Sequence, residues 1–190
     1  MSTYDNDLRL EEITTGAQSG TWGDTTNVNL ELIAEAFSYG TEAITTNADT
    51  HTTTIADGST DPGRSMYLKY TGTLDSACTI TLGPNTVSKV WIIENATSGS
   101  QNIIISQGSG ANVTIANGKT KVVYTDGAGS GAAVYDAFAS LDLSATPQTS
   151  VKTTAIQFTD GDSAMTIADG GGITIGTSLD MDAKELILDT

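Results

Sequence analysis

Cysteine and histidine are nearly missing from this chain: among 190 residues there is one of each, with three prolines and 6% aromatic residues. A single thiol excludes an intrachain disulfide framework, and with a single imidazole it leaves no ligand set for a structural zinc. Cys78 stands in an alternating run with Ile80 and Leu82, where a small buried hydrophobe is expected rather than a reactive thiol. Basic side chains are scarce too, with eight Lys and Arg against 23 Asp and Glu and a net charge of -15. Such a surface repels a phosphate backbone, so nucleic acid is not an expected partner. No apolar run approaches the length of about 20 residues that crosses a bilayer. Met1 to Asp7 has neither the basic nor the apolar region of a secretory signal, which points to synthesis in the cytoplasm without membrane insertion. Leu, Ile, Val and Phe together make up roughly a fifth of the chain, near the limit at which strongly charged polypeptides stop folding alone.

Threonine, glycine and alanine fill the gap. Threonine forms strands and tolerates a solvated pleated face, so the composition predicts extended structure with thin cores that gain by burial against copies of the same chain. Residues 1–40 differ in character from the rest of the chain. Leu30, Ile33, Ala34 and Phe37 recur at helical spacing; Thr26 or Asn27 can cap the start, Glu31 favours the positive end, and Gly40 can end the element. A helix of about three turns is marginal in water, so this one must dock on the next domain or on another chain.

From residue 41 to 137 the period becomes two. Met66, Leu68 and Tyr70 alternate with Tyr67 and Lys69; Ile80 and Leu82, Val90 to Ile93, Ile103 to Ile105, Val113 with Ile115, and Val122 to Tyr124 come after them. Asn117-Gly118 between two such runs is the favoured two-residue hairpin signal. Together these features predict a small antiparallel β-sandwich of jelly-roll type. Residues 138–150 suit a linker. From 151 to 190, very short apolar pairs such as Ile156 and Phe158 or Ile173 and Ile175 alternate with Asp- and Gly-rich turns, which predicts the start of a trimeric β-prism or β-helical shaft built of stacked rungs. Thr54 to Gly58 is echoed in Thr166 to Gly170, too short a match to establish a repeat. Glu185 to Thr190 reads as a strand without closure, so the natural protein is expected to continue; an intact mass of 19.6 kDa from particles would count against that.

The block Thr15-Gly16-Ala17-Gln18-Ser19-Gly20-Thr21-Trp22-Gly23-Asp24-Thr25-Thr26-Asn27, with the helix after it, resembles the N-terminal segment of tail-fibre and related virion structural proteins of marine, podovirus-type bacteriophages. Lys119 to Ala132 and Leu179 to Asp189 resemble further blocks of that family. The resemblance implies a fibre in which residues 1–40 attach to a tail adaptor, nozzle or other tail protein. The middle would form a shoulder or knob, 151–190 would begin the shaft, and a distal region would bind the host receptor. The residues expected at the virion-anchoring interface are Trp22, Gly23, Asn27, Leu30, Ile33 and Phe37. Glycines on both sides of Thr21-Trp22 allow a sharp loop that presents the indole to a partner, although Trp22 covering its own helix fits equally well. The expected assembly is a homotrimer, which supplies avidity.

Chemistry is thinly provided. His51 lacks a second metal-binding partner and is expected to be a solvated strand-edge residue. Gly108-Ser109-Gly110 is no nucleophile elbow, and phosphate-loop and dinucleotide fingerprints are missing from the sequence. Asp160 with Asp162 and Asp180 with Asp182 are the closest carboxylate pairs for glycoside chemistry, yet they read as solvated turns; calcium binding there would lack ordered ligand spacing. The chain is therefore expected to be no enzyme, with no cofactor and no metal. The rival readings are a head fibre or capsid decoration protein, and the N-terminal part of a polysaccharide-degrading tail spike.

Overall fold

The computed structural model describes residues 2–141. The expected shaft and the carboxylate pairs Asp160/Asp162 and Asp180/Asp182 lie outside the described residues. Within them, one helix precedes a mainly β body. Helix α1 is Trp22–Ala36, and the strands are β1 Tyr39–Ala43, β2 Thr50–Thr54, β3 Tyr67–Thr71, β4 Cys78–Gly83, β5 Val90–Asn95, β6 Ile103–Ser106, β7 Val113–Ile115, β8 Thr120–Thr125 and β9 Val134–Asp136.

The strands form a five-stranded sheet in the order β1-β3-β5-β8-β9 and a four-stranded sheet in the order β2-β4-β6-β7. From β1 to β6 successive strands alternate between the two, so the chain winds as a coil. In the first sheet β1, β3 and β5 pair in parallel, as β2, β4 and β6 do in the second. Parallel neighbours require a crossover connection, and here each crossover is the strand of the opposite sheet. Only at the end does the chain reverse: β7 pairs antiparallel with β6, β8 with β5, and β9 with β8.

This pairing corrects the expectation of an antiparallel jelly roll. The misleading signal was Asn117-Gly118. The turn it makes carries the chain from β7 in one sheet to β8 in the other, with positive φ at Gly118 and not at Asn117, so no hairpin forms. Asn117 instead donates its Nδ2 to the Thr97 carbonyl at 2.5 Å.

The core lies between the sheets. Inward positions of β3, β5 and β8 supply Leu68, Tyr70, Trp91, Ile93 and Val123, and those of β4, β6 and β7 supply Cys78, Ile80, Leu82, Ile103, Ile105, Val113 and Ile115, all buried. Cys78 is the inert small hydrophobe its spacing implied, and burial pushes its thiol pKa up, helped by Asp49. The interior of this unit is thus completed by one chain, which corrects the expectation that thin strands need neighbouring copies to close their core. The reason is placement: on strands that face each other, alternate positions point inward, and the large apolar residues that fall on them suffice to fill the space between the sheets.

Polar groups inside are paired. Buried Asn95, at the end of β5, donates to the carbonyls of Gln101 and Ile115 at 3.0 Å and accepts from the backbone and hydroxyl of Thr97. Tyr70 and Thr53 share a buried hydroxyl bond of 2.7 Å. Where coils stack at a corner, backbone approaches backbone: Gly99, at φ +95, leaves so little room that a Cβ there would lie 1.9 Å from the Leu74 carbonyl oxygen.

The N-terminal residues pack onto the body. α1 starts at Trp22, earlier than the Thr26 or Asn27 caps predicted, and Thr21 at its N-cap makes no side-chain capping bond. It ends at Phe37, not at Gly40, which is buried in β1. Arg64, in the Pro62–Arg64 turn, is fully buried and joins three segments. Its Nε donates to the Leu8 carbonyl at 2.9 Å; Nη1 donates to Glu35 Oε2 on α1 at 2.8 Å and to the Ser59 carbonyl at 2.7 Å; Nη2 donates to the Ala56 carbonyl at 2.5 Å. The other Glu35 oxygen accepts from the Thr60 hydroxyl and the Asp61 amide. Arg9 pairs with Asp57 at 2.7 Å, and Asp7 accepts from the Ser88 amide at 2.8 Å.

Candidate docking surface

α1 presents two faces because its apolar residues follow two helical stripes. Leu32 and Ala36 are buried against the body, while Asn29 bonds both backbone groups of Glu11 through its amide. The other stripe is bare. Leu30, Ile33 and Phe37 follow one another at three and four residues, Trp22 lies two turns before Leu30, and all four are exposed, Trp22 by 62% and Phe37 by 72%. Of the residues expected at the anchor, these four therefore share a surface. Exposed Asn27 and half-buried Gly23 lie four residues apart beside it.

Beyond Phe37 the apolar surface continues onto the outer face of the five-stranded sheet. Phe37, Ser38, Tyr39, Tyr67, Lys69 and Glu94 line an open depression of about 440 Å³. Tyr39 and Tyr67 are register partners on β1 and β3, with ring centroids 5.6 Å apart, and the row runs on through Ile92 to Val122. A second row joins exposed Val90, Tyr124 and Tyr135, the two tyrosine rings stacking at 5.1 Å. In a third row Lys69 meets Glu94 at 3.4 Å, and the Tyr67 hydroxyl donates to the same carboxylate at 2.9 Å. None of these outer-face residues was singled out from sequence as a surface. The signal was present in the alternation itself, because Tyr67 and Lys69 take the opposite face from Leu68 and Tyr70.

Elsewhere the chemistry is sparse. His51 is not the solvated residue expected: its side chain is 17% exposed on an inward position of β2, with Nε2 2.6 Å from Glu42 Oε1 and the ring edge-on to Tyr70. The second Glu42 oxygen is buried without a partner. Ser109 lies between β6 and β7, held by its amide to the Ser130 carbonyl. Among the described residues no three His, Cys, Asp or Glu side chains gather as a metal set, and no helix is long and apolar enough to cross a membrane. Lys89 has a pKa lowered to about 8, chiefly by burial and further by Arg64; its Nζ donates to the Ser65 carbonyl at 3.2 Å and lies 4.5 Å from the centroid of Trp91.

No family model matches the chain, and no curated protein or solved structure matches it either.

Proposed function

We propose that the chain is a structural component of a phage virion: a homotrimeric tail-fibre protein whose α1 stripe docks on the tail and whose distal region recognises the host. The observation that carries this reading is the row of Trp22, Leu30, Ile33 and Phe37, left bare on a helix that packs on the body through Leu32 and Ala36. A folded unit that closes its own core has no internal need for that stripe, and exposed contiguous apolar patches mark docking surfaces. The stripe falls within and just after the Thr15 to Asn27 block that resembles fibre N-termini. By the same resemblance, residues 151–190 would begin the shaft. The role asked of the described residues is positional, and no catalytic step is assigned to them.

Particles labelled with an antibody against the chain and viewed by electron microscopy test the reading. Label confined to the tail is expected, and its loss from particles carrying Trp22→Ala with Phe37→Asp. Label on the capsid lattice would replace it with a head-fibre role, and particles without label would end it.

A further inference from the structure

We infer that the outer face of the five-stranded sheet is where copies of this chain meet, Tyr39, Tyr67, Ile92, Val122 and Tyr124 of one copy packing against the same sheet face of its neighbours. The inference deepens the homotrimer reading by assigning its interface, and it rests on that reading.

The two outer faces of the body differ in kind. On the four-stranded sheet, outward positions are mostly threonine: Thr50 pairs with Thr79 and Thr52 with Thr81 across β2 and β4, and the first row runs on through a single isoleucine, Ile104, to Thr114 on β7. None of the exposed large apolar residues lies on those strands. That face is suited to water. On the five-stranded sheet the outward positions carry four tyrosines with Val90, Ile92 and Val122, two pairs of the tyrosine rings already packed on each other. Tyrosine brings large area with few rotatable bonds, so little entropy is lost when a partner covers it.

Charge names the occupant. Two copies of a chain with net charge -15 repel wherever acidic surfaces face. On the outward positions of these five strands the charged side chains are Lys69 and Glu94, one of each sign, both partly exposed. The face is therefore neutral, and Lys69 of one copy can reach Glu94 of the next without desolvating an unpaired ion. Five strands about 4.8 Å apart and about 17 Å long present a plane of roughly 24 by 17 Å. That is about half the scale of about 800 Å² per partner found in standard interfaces, so the face makes a small contact that depends on its tyrosine rows. The α1 stripe, Phe37 included, stays free for the virion.

Sedimentation equilibrium on the full chain, combined with cysteine cross-linking, tests this. The unaltered chain should sediment at three times 19.6 kDa. Ile92→Lys or Val122→Lys should reduce it at least tenfold in trimer affinity, while Thr81→Lys, on the threonine face, should leave the mass unchanged. Tyr124→Cys should form interchain disulfides under mild oxidation and Thr52→Cys should not; this reads the contact even if a lysine variant fails to fold. A trimer that survives both lysine variants with no Tyr124→Cys cross-link overturns the assigned face and leaves the trimer standing. A monomer in the unaltered chain overturns both.

Discussion

Arg64→Met tests the most committed polar cluster in the unit. The guanidinium is 0% exposed and makes four hydrogen bonds, three to carbonyls and one to the Glu35 carboxylate, whose side chain is 17% exposed. Methionine fills much of the volume without a donor. The Leu8, Ser59 and Ala56 carbonyls would then face an apolar side chain, and Glu35 would keep only Thr60 and the Asp61 amide. Removing one member of a buried ion pair costs about 3–5 kcal/mol, and each unsatisfied carbonyl about 1–3 kcal/mol where water cannot reach it. Relaxation of the Ala56 to Ser59 turn toward solvent recovers part of this, so the expected loss is about 4 kcal/mol. Urea unfolding at fixed chain concentration, extrapolated to water, measures it. The same substitution in a Glu35→Gln background should cost about 1–3 kcal/mol less, because the stranded charge is gone. A loss under about 1 kcal/mol, or strict additivity of the two changes, would show that the cluster is not the junction described.

Four further outcomes are expected. Gly99→Ala must place a Cβ against the Leu74 carbonyl at φ +95 and should cost more than about 3 kcal/mol or abolish soluble protein, whereas Gly131→Ala, with open space around it, should change the melting temperature little. Asn95→Leu should destabilise by about 2–4 kcal/mol in denaturant titrations, since it strands the Gln101 and Ile115 carbonyls together. Lys89 is held near pKa 8 in the folded state and takes its ordinary value when unfolded, so the unfolded chain holds the extra proton between those values. Lys89's contribution to stability should therefore rise as pH goes from about 8 to 10, against the fall that the raised thiol of buried Cys78 brings over the same range, and Lys89→Met should shift the slope toward that fall in melts taken across the range. Trp22→Ala and Phe37→Ala should each change unfolding free energy by less than about 0.5 kcal/mol, because both side chains are exposed; a larger loss would mean that they serve the fold.

The strands were legible where their inward residues are large. Tyr67–Thr71, Cys78–Gly83, Val90–Asn95, Ile103–Ser106, Val113–Ile115 and Thr120–Thr125 all show period-two alternation in their apolar residues or direct apolar runs, and the structure forms a strand at each. β1 and β2 were not legible, since Tyr-Gly-Thr-Glu-Ala and Thr-His-Thr-Thr-Thr put Gly40, Thr53 and a His-Glu pair where a core residue would have signalled a strand. Pairing direction was misread because local turn chemistry says which residues bend, not which sheet the next strand joins. Asn117-Gly118 marks a bend correctly and its destination wrongly. On the docking surface, the stripe on α1 was readable from spacing alone. The tyrosine rows were not, because they exist only once β1, β3, β5 and β8 lie side by side, and their members are scattered over more than eighty positions of the chain.

The junction at Arg64 also has a mechanical consequence. A pull on α1 does not have to peel β1 from the sheet one backbone bond at a time. Through Glu35 it passes to a guanidinium anchored in the turn between β2 and β3, while the arm at Leu8 is held by the same group. The Arg64 cluster, and not the β1 ladder alone, then shares the load between the helix, the N-terminal arm and the body.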